Sequence, residues 1–304
     1  MKDDAPSSTA LVVARNVALI ASTPELAHLV SPETAEWTGR FIEASSPQGA
    51  VLLKKLHQGW FRSLCRAAER CMIPGLALHQ VLRKRQIERV VRQALTNGFE
   101  QVVVLGGGFD ALALRLHGEF PKMNFLELDH PATQRVKKPV IDKFGGTGAN
   151  LHLFLVDLSR QPLDAVLTSN GAYQREKKTL LLCEGVLMYL FAEQVDRLFA
   201  ALRRLSAPAI RFVFSAMESD HKGRAGFHHS TWLVKLWLFL SREPFRWGLA
   251  PANAVDYLND RGFSLVEMAN AETFKQSEAG TDCTRFRIAE GEFLCVADRG
   301  APPA

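Results

Sequence analysis

The chain has 304 residues, with 37 Lys and Arg against 32 Asp and Glu, for a net charge of +5 and a pI near 9.0. Hydrophobic residues make up 47% and charged residues 23%, a balance that excludes disorder, a collagen-like repeat and a disulfide scaffold. A chain this long buries a full core, so the question is what it needs beyond one nucleotide-binding α/β unit.

Residues 1 to about 98 read as helical, with apolar positions at helical spacing over Ala50–Ala68 and Leu76–Leu95. Pro24, Pro32, Pro47 and Pro74 punctuate them. The five cysteines, an odd number without a CxxC pair, point to reduced thiols in a cytoplasmic protein and not to a zinc site. The start, MKDDAPSSTA, has acids where a signal peptide needs a basic patch. No stretch approaches the roughly 18 apolar residues of a membrane span. No dense basic stripe with interleaved aromatics argues for nucleic acid.

From residue 100 the texture alternates. Gln101–Leu105 reads as a buried strand and Met123–Leu128, Leu151–Val156, Thr179–Cys183 and Ala209–Ser215 as further strands, with helices over Ala111–Leu116, Pro131–Phe144 and Phe191–Leu205. Such alternation means βαβ crossovers and a mostly parallel sheet. Residues 216–250 interrupt the rhythm as an insertion. Pro251–Arg261 is a short helix, Ser264–Met268 and Glu292–Val296 are the last strands, and Gly300–Ala304 is a frayed tail.

The first strand ends in Gly106-Gly107-Gly108, before Asp110 and Ala111. Glycines there let the chain turn sharply and let a ligand lie against bare main chain. Asp129 ends the second strand, where a carboxylate accepts both hydroxyls of a ribose. Together they indicate an adenosine-containing cofactor. Asp110 would repel a pyrophosphate but suits a sulfonium and an amino group. Asp157 and the backbone of Leu158, after the third strand, are placed to read an adenine. These two points favour S-adenosylmethionine (SAM) over NAD, although Asp110 and Asp157 are also good helix caps.

These residues carry a resemblance. Arg83-Lys-Arg-Gln-Ile-Glu88 with Gln101–Leu116, Leu126-Glu-Leu-Asp-His-Pro131, Val156-Asp-Leu158, Cys183-Glu-Gly-Val-Leu-Met-Tyr-Leu190 and Glu243-Pro-Phe-Arg-Trp-Gly-Leu249 with Gly262-Phe263 resemble, in order over about 80–304, the leucine carboxyl methyltransferase family. The closer likeness is to its bacterial branch of polyketide-type O-methyltransferases. The resemblance implies a class I SAM-methyltransferase, Rossmann-like fold with a seven-stranded sheet. Residues 1–98 would be a helical cap, 99–304 the SAM-binding core, and 216–250 an inserted lid. It implies methyl transfer to a carboxyl or hydroxyl oxygen of a small-molecule or peptide acceptor, with S-adenosylhomocysteine (SAH) as product and no metal. It places Arg83 on the cofactor carboxylate, with Arg85 as second choice, the glycines on the methionine part, and Glu184 near the amino group. The family's commoner Gly-Ala-Gly loop makes Gly107 a harmless or slightly looser variant.

A hydroxyl acceptor needs a general base and a carboxylate does not. His221, His228 and His229 are candidates for that base, or simply loop histidines. Tyr189 is a candidate catalytic or acceptor-lining group. Arg246 is a candidate acceptor clamp or a structural ion pair. Trp232, Trp237 and Leu240 are read as one helix face, either core or the wall of an acceptor pocket, and the apolar helix is also where a homodimer would pack. An NAD(P)-type oxidoreductase and a silent SAM-binding protein are the alternatives.

Overall fold

The computed structural model describes residues 6–158, 160–169, 171–278 and 282–299. The expected tail Gly300–Ala304 lies outside them. The N-terminal helices are α1 (Ser8–Ala21), α2 (Pro32–Ser45), α3 (Gly49–Leu56), α4 (Gly59–Met72) and α5 (Leu76–Thr96). The alternating part follows: β1 (Gln101–Leu105), α6 (Leu112–Glu119), β2 (Asn124–Asp129), α7 (Pro131–Lys143), β3 (Leu151–Leu155), α8 (Leu163–Thr168), β4 (Thr179–Cys183), α9 (Ala192–Arg204) and β5 (Ile210–Met217). The chain closes with α10 (Trp232–Ser241), α11 (Ala254–Asn259), β6 (Ser264–Ala269), α12 (Ala271–Gln276) and β7 (Glu292–Arg299).

The strands form one seven-stranded sheet in the order β3-β2-β1-β4-β5-β7-β6. It is parallel except for β7, which runs antiparallel between β5 and β6. All seven expected strands form. β1, β2 and β4 are buried along their whole lengths, so they read as continuous apolar runs, as central parallel strands do. Successive side chains divide between two faces. Val102, Val104, Phe125, Leu180, Leu182 and Val213 share a core with α1, α2 and α5. Val103, Leu105, Leu126, Leu181, Phe212 and Phe214 share the other with α9 and α11. The N-terminal helices thus cover one face of the sheet.

Two helical readings are refined. The run over Ala50–Ala68 divides into α3 and α4 at His57 and Gln58. α5 starts at Gly75, whose φ of 83° and lack of a Cβ suit its contact with the Arg287 carbonyl. Gly75 has no side chain to cap the helix, so Glu69 of α4 accepts the Ala77 N–H at 2.8 Å instead.

The insertion departs from expectation in its orientation. α10 buries Val234 and Leu238 and turns Trp232, Leu233, Leu236, Phe239 and Leu240 outward. Trp232 is 70% exposed. It therefore neither joins the core nor shares the inner face of Trp237, because five residues is about 140° of helical turn.

Candidate functional site

The crossover rule puts a ligand at the carboxyl ends of parallel strands, where the strand order reverses. Here β1 lies between β2 and β4, and a cavity of about 710 Å³ opens beyond their ends. Gly106, Gly107, Gly108, Asp110, Asp129, Asp157, Leu158, Glu184, Arg83 and Tyr189 all line it.

The glycine loop is tight for stated reasons. Gly106 has φ 69°, and a Cβ there would stand 2.5 Å from Val186 Cγ2. At Gly107 a Cβ would lie 2.7 Å from Glu127 Cδ. That carboxylate does not swing away, because it accepts from Lys137 Nζ at 2.7 and 2.9 Å and from Gln134 at 3.0 Å. Gly107 is therefore required by Glu127, not a loose substitute for alanine.

Asp129 closes the loop from the second strand. One carboxylate oxygen accepts the Gly108 N–H and the other the His130 N–H, each at 2.6 Å. Burial and the neighbouring Glu127 push its pKa up to about 6, against the pull of Lys137 and the two N–H donors. Asp110 does two things: Oδ1 accepts the Ala111 N–H at 2.7 Å, starting α6, and Oδ2 accepts from Lys84 at 2.9 Å. Burial alone would raise its pKa, but Lys84 holds it below the usual range. Asp157 forms an ion pair with Arg160 at 3.1 Å.

Arg83 lies at the centre of a buried ionic cluster. Its Nε and Nη2 donate to Glu184 Oε1 at 3.0 and 2.7 Å, and Nη1 donates to Glu292. Glu292 also contacts His79 at 3.0 Å. Lys84 bridges Asp110 and Glu184, at 2.9 and 3.1 Å. Burial opposes the charge on Arg83, Lys84 and Glu292. The opposite charges win: Arg83 and Lys84 are raised, and Glu292 is lowered to about 2. Arg85 turns the other way, to Glu278 at 2.6 Å.

Lys84, Glu292 and His79 escaped the reading of the sequence. Lys84 stands between Arg83 and Arg85, and its place on the same helix is the signal the sequence offers. Glu292 is 209 residues from Arg83, and only the fold brings it there.

The rest of the cavity is largely apolar. Val13 and Val17 of α1, Ile73, Leu76, Phe227, Trp237 and Leu238 line it. α1, unremarked in the sequence, is a wall of the site. Its first turn is tied down by buried Glu243, which accepts the Thr9 N–H at 3.0 Å. Burial pushes the Tyr189 phenol well above its usual pKa, so it is protonated at neutral pH. Its ring lies 5.8 Å from that of Phe245.

Three expectations are corrected. His221, His228 and His229 are exposed and do not line the cavity; His228 faces Glu218 at 3.2 Å instead. Trp232 does not line it either, for the reason given above. Arg246 lines the cavity, and the structural ion pair is the reading that fails: among the described residues its guanidinium has no ion-pair partner and stacks 4.1 Å from the Phe191 ring. Arg83 and Lys84 are paired with buried carboxylates, and Arg85 faces away from the cavity. Among the described residues no cluster of His, Cys, Asp and Glu could hold a metal ion. No helix there is long and apolar enough to cross a membrane.

Comparison with known proteins agrees with this architecture. A Mycobacterium marinum protein described as an S-adenosyl-L-methionine-dependent methyltransferase is 29% identical over 205 residues, covering 64% of this chain and 62% of its own. A relative of the same description from Mycobacteroides abscessus is 34% identical over 151 residues, covering 49% and 46%. The aligned part thus spans less than two thirds of either relative. A solved Thermobifida fusca structure described as a methyltransferase superposes with a TM-score of 0.56 at 17% identity, covering 86% of this chain and 94% of that one. It supports the class I methyltransferase fold. The family model for leucine carboxyl methyltransferases matches residues 10–203, and the chain belongs to that family.

Proposed function

We propose that the chain is a SAM-dependent O-methyltransferase of the bacterial, polyketide-type branch, acting on a carboxyl or hydroxyl oxygen of a largely apolar small-molecule or peptide acceptor. The observation that carries this reading is the ring of carboxylates at four successive strand ends. Asp110, Asp129, Asp157 and Glu184 all face one cavity across a glycine loop without a Cβ. Such a ring suits a cationic adenosyl cofactor and repels a pyrophosphate.

The residues present fit that group. Asp129 is buried with a lone pair left on each oxygen beyond its backbone bonds, and accepts the ribose hydroxyls. Asp157 and Leu158 hold the adenine, and Glu184 and Asp110 face the cationic end. Arg83, already bonded to two carboxylates, meets the cofactor carboxylate as a fixed guanidinium. When bound, SAM supplies the methyl on a sulfonium. The protein contributes alignment and exclusion of water, and proximity of this kind is worth on the order of 7–11 kcal/mol in ideal cases. α1, tied through Thr9, closes the cavity on the acceptor side. The helical cap of residues 1–98 and the insertion would together supply the acceptor walls. A carboxylate acceptor needs no base. A hydroxyl acceptor would have to arrive already acidic, since Tyr189 is held protonated.

The test is calorimetric. SAH should bind with measurable heat and NAD should not; binding of NAD alone overturns the reading. Labelled SAM with a panel of carboxylic and phenolic acceptors then tests transfer, and no transfer to any of them would leave a silent cofactor-binding protein. In the same assay, single changes of His221, His228 and His229 to Ala should leave kcat within about twofold, because none reaches the cavity. A loss of a hundredfold or more in any one would restore a histidine base.

A further inference from the structure

We propose that the outer faces of α4 and α10 form a docking surface for an anionic lipid bilayer. A folded soluble surface rarely leaves large apolar side chains in a row. Here two helices do. On α10, Trp232, Leu236, Phe239 and Leu240 recur at i, i+4, i+7 and i+8 and point outward, with Trp232, Phe239 and Leu240 at 70%, 72% and 66% exposure. On α4, which buries none of its residues, Trp60 and Leu64 begin the same spacing at 62% and 56%, and exposed Ala67 and Cys71 continue it. The helices meet where Thr231 donates to the carbonyls of Met72 and Cys71, at 3.2 and 3.0 Å.

The charge around these stripes selects the partner. Residues 49–72 carry five Lys and Arg against Glu69 alone, and residues 221–242 carry four against no acid. These two segments hold a net of eight positive charges, while the whole chain has +5. The remainder is therefore net negative by three. Glu69 is turned inward to cap α5, and Lys54, Lys55, Arg70, Lys235 and Arg242 are exposed. An apolar stripe carrying Trp, Phe and Leu, flanked by cations whose aliphatic stems reach past it, is how a helix lies in a headgroup layer. Arg224 pairs with Asp220, and Arg62 and Arg66 bond Leu56 and Thr23, so the positive charge of this face rests on Lys54, Lys55, Arg70, Lys235 and Arg242.

This claim stands apart from methyl transfer, and its test separates the two. The full chain is sedimented with vesicles of equal parts phosphatidylglycerol and phosphatidylcholine, and with phosphatidylcholine alone. Expected are binding at least tenfold tighter to the anionic vesicles, loss of binding at high salt, and a blue shift of tryptophan emission. Lys235→Glu combined with Phe239→Asp should weaken vesicle binding at least tenfold while SAH affinity is unchanged. If that pair perturbs the fold by circular dichroism, Phe239→Ser alone should still weaken binding severalfold. Equal or absent binding to both vesicles overturns the proposal. So does a concentration-dependent dimer that Phe239→Asp dissociates, which would assign the face to a second copy of the chain.

Discussion

Asp129→Asn is expected to weaken SAH binding by on the order of 100-fold, since hydrogen bonds to a charged group are worth about 1.5–3 kcal/mol each and about 1.4 kcal/mol is tenfold. The carboxylate sits buried at the end of β2, between the Gly108 and His130 N–H groups. An asparagine there keeps the shape but offers one acceptor oxygen where two donors point. Calorimetry with SAH reads the loss, and circular dichroism confirms that the sheet is intact. Unchanged affinity would show that the ribose lies elsewhere.

The same residue makes a pH signature of two opposite signs. Its pKa is raised from 3.8 to about 6, by burial first and by Glu127 second. A carboxyl that holds its proton more tightly when folded stabilises the fold below the unfolded pKa. That contribution is lost as pH rises through about 6. Cofactor binding, which uses the anion, should move the other way: constant above pH 7 and falling toward tenfold per unit below about 6. The comparison is wild type against Asp129→Asn, because Glu292 and Asp110 have lowered pKa values and lose their stabilisation as pH falls. A pH dependence of SAH affinity that persists in Asp129→Asn would place the titration on another group.

What was legible in the sequence follows from what is local. Each of the first four strands ends in a glycine or carboxylate a few residues from a β-branched or leucine-rich run, so the sheet, Gly106, Asp129 and Asp157 are all readable without a fold. The pairing of Arg83 with Glu292 is not, because β7 is inserted antiparallel beside β5 and only that topology brings the start of the last strand beneath α5. The orientation of α10 is illegible for another reason. A helix apolar on both sides gives no periodic signal for which face turns inward, and here the side bearing Val234 and Leu238 does. The histidines were tempting as a cluster, yet a loop places neighbours in sequence on an exposed rim as readily as in a site.

The largest effect on stability should come from a residue that touches no ligand. Lys137 is fully buried and bonds both oxygens of buried Glu127. Removing one partner of a buried ion pair typically costs about 3–5 kcal/mol, because the other charge is left without compensation. Lys137→Met should therefore lower Tm by on the order of 10 °C for a chain of this size. The effect should reach the cofactor site as well, since Lys137 lowers the pKa of Asp129 while Glu127 raises it. In Lys137→Met the midpoint of the pH dependence of SAH binding should move above 6. In Glu127→Gln it should move down toward the ordinary carboxyl range. The double variant Glu127→Gln with Lys137→Met should recover most of the lost stability, because a neutral amide costs far less to bury than an unpaired carboxylate. Thermal melts and SAH titrations on the four proteins check both parts. Additive losses in the double variant would mean that Lys137 supports the fold by packing, with Glu127 a bystander beneath Gly107.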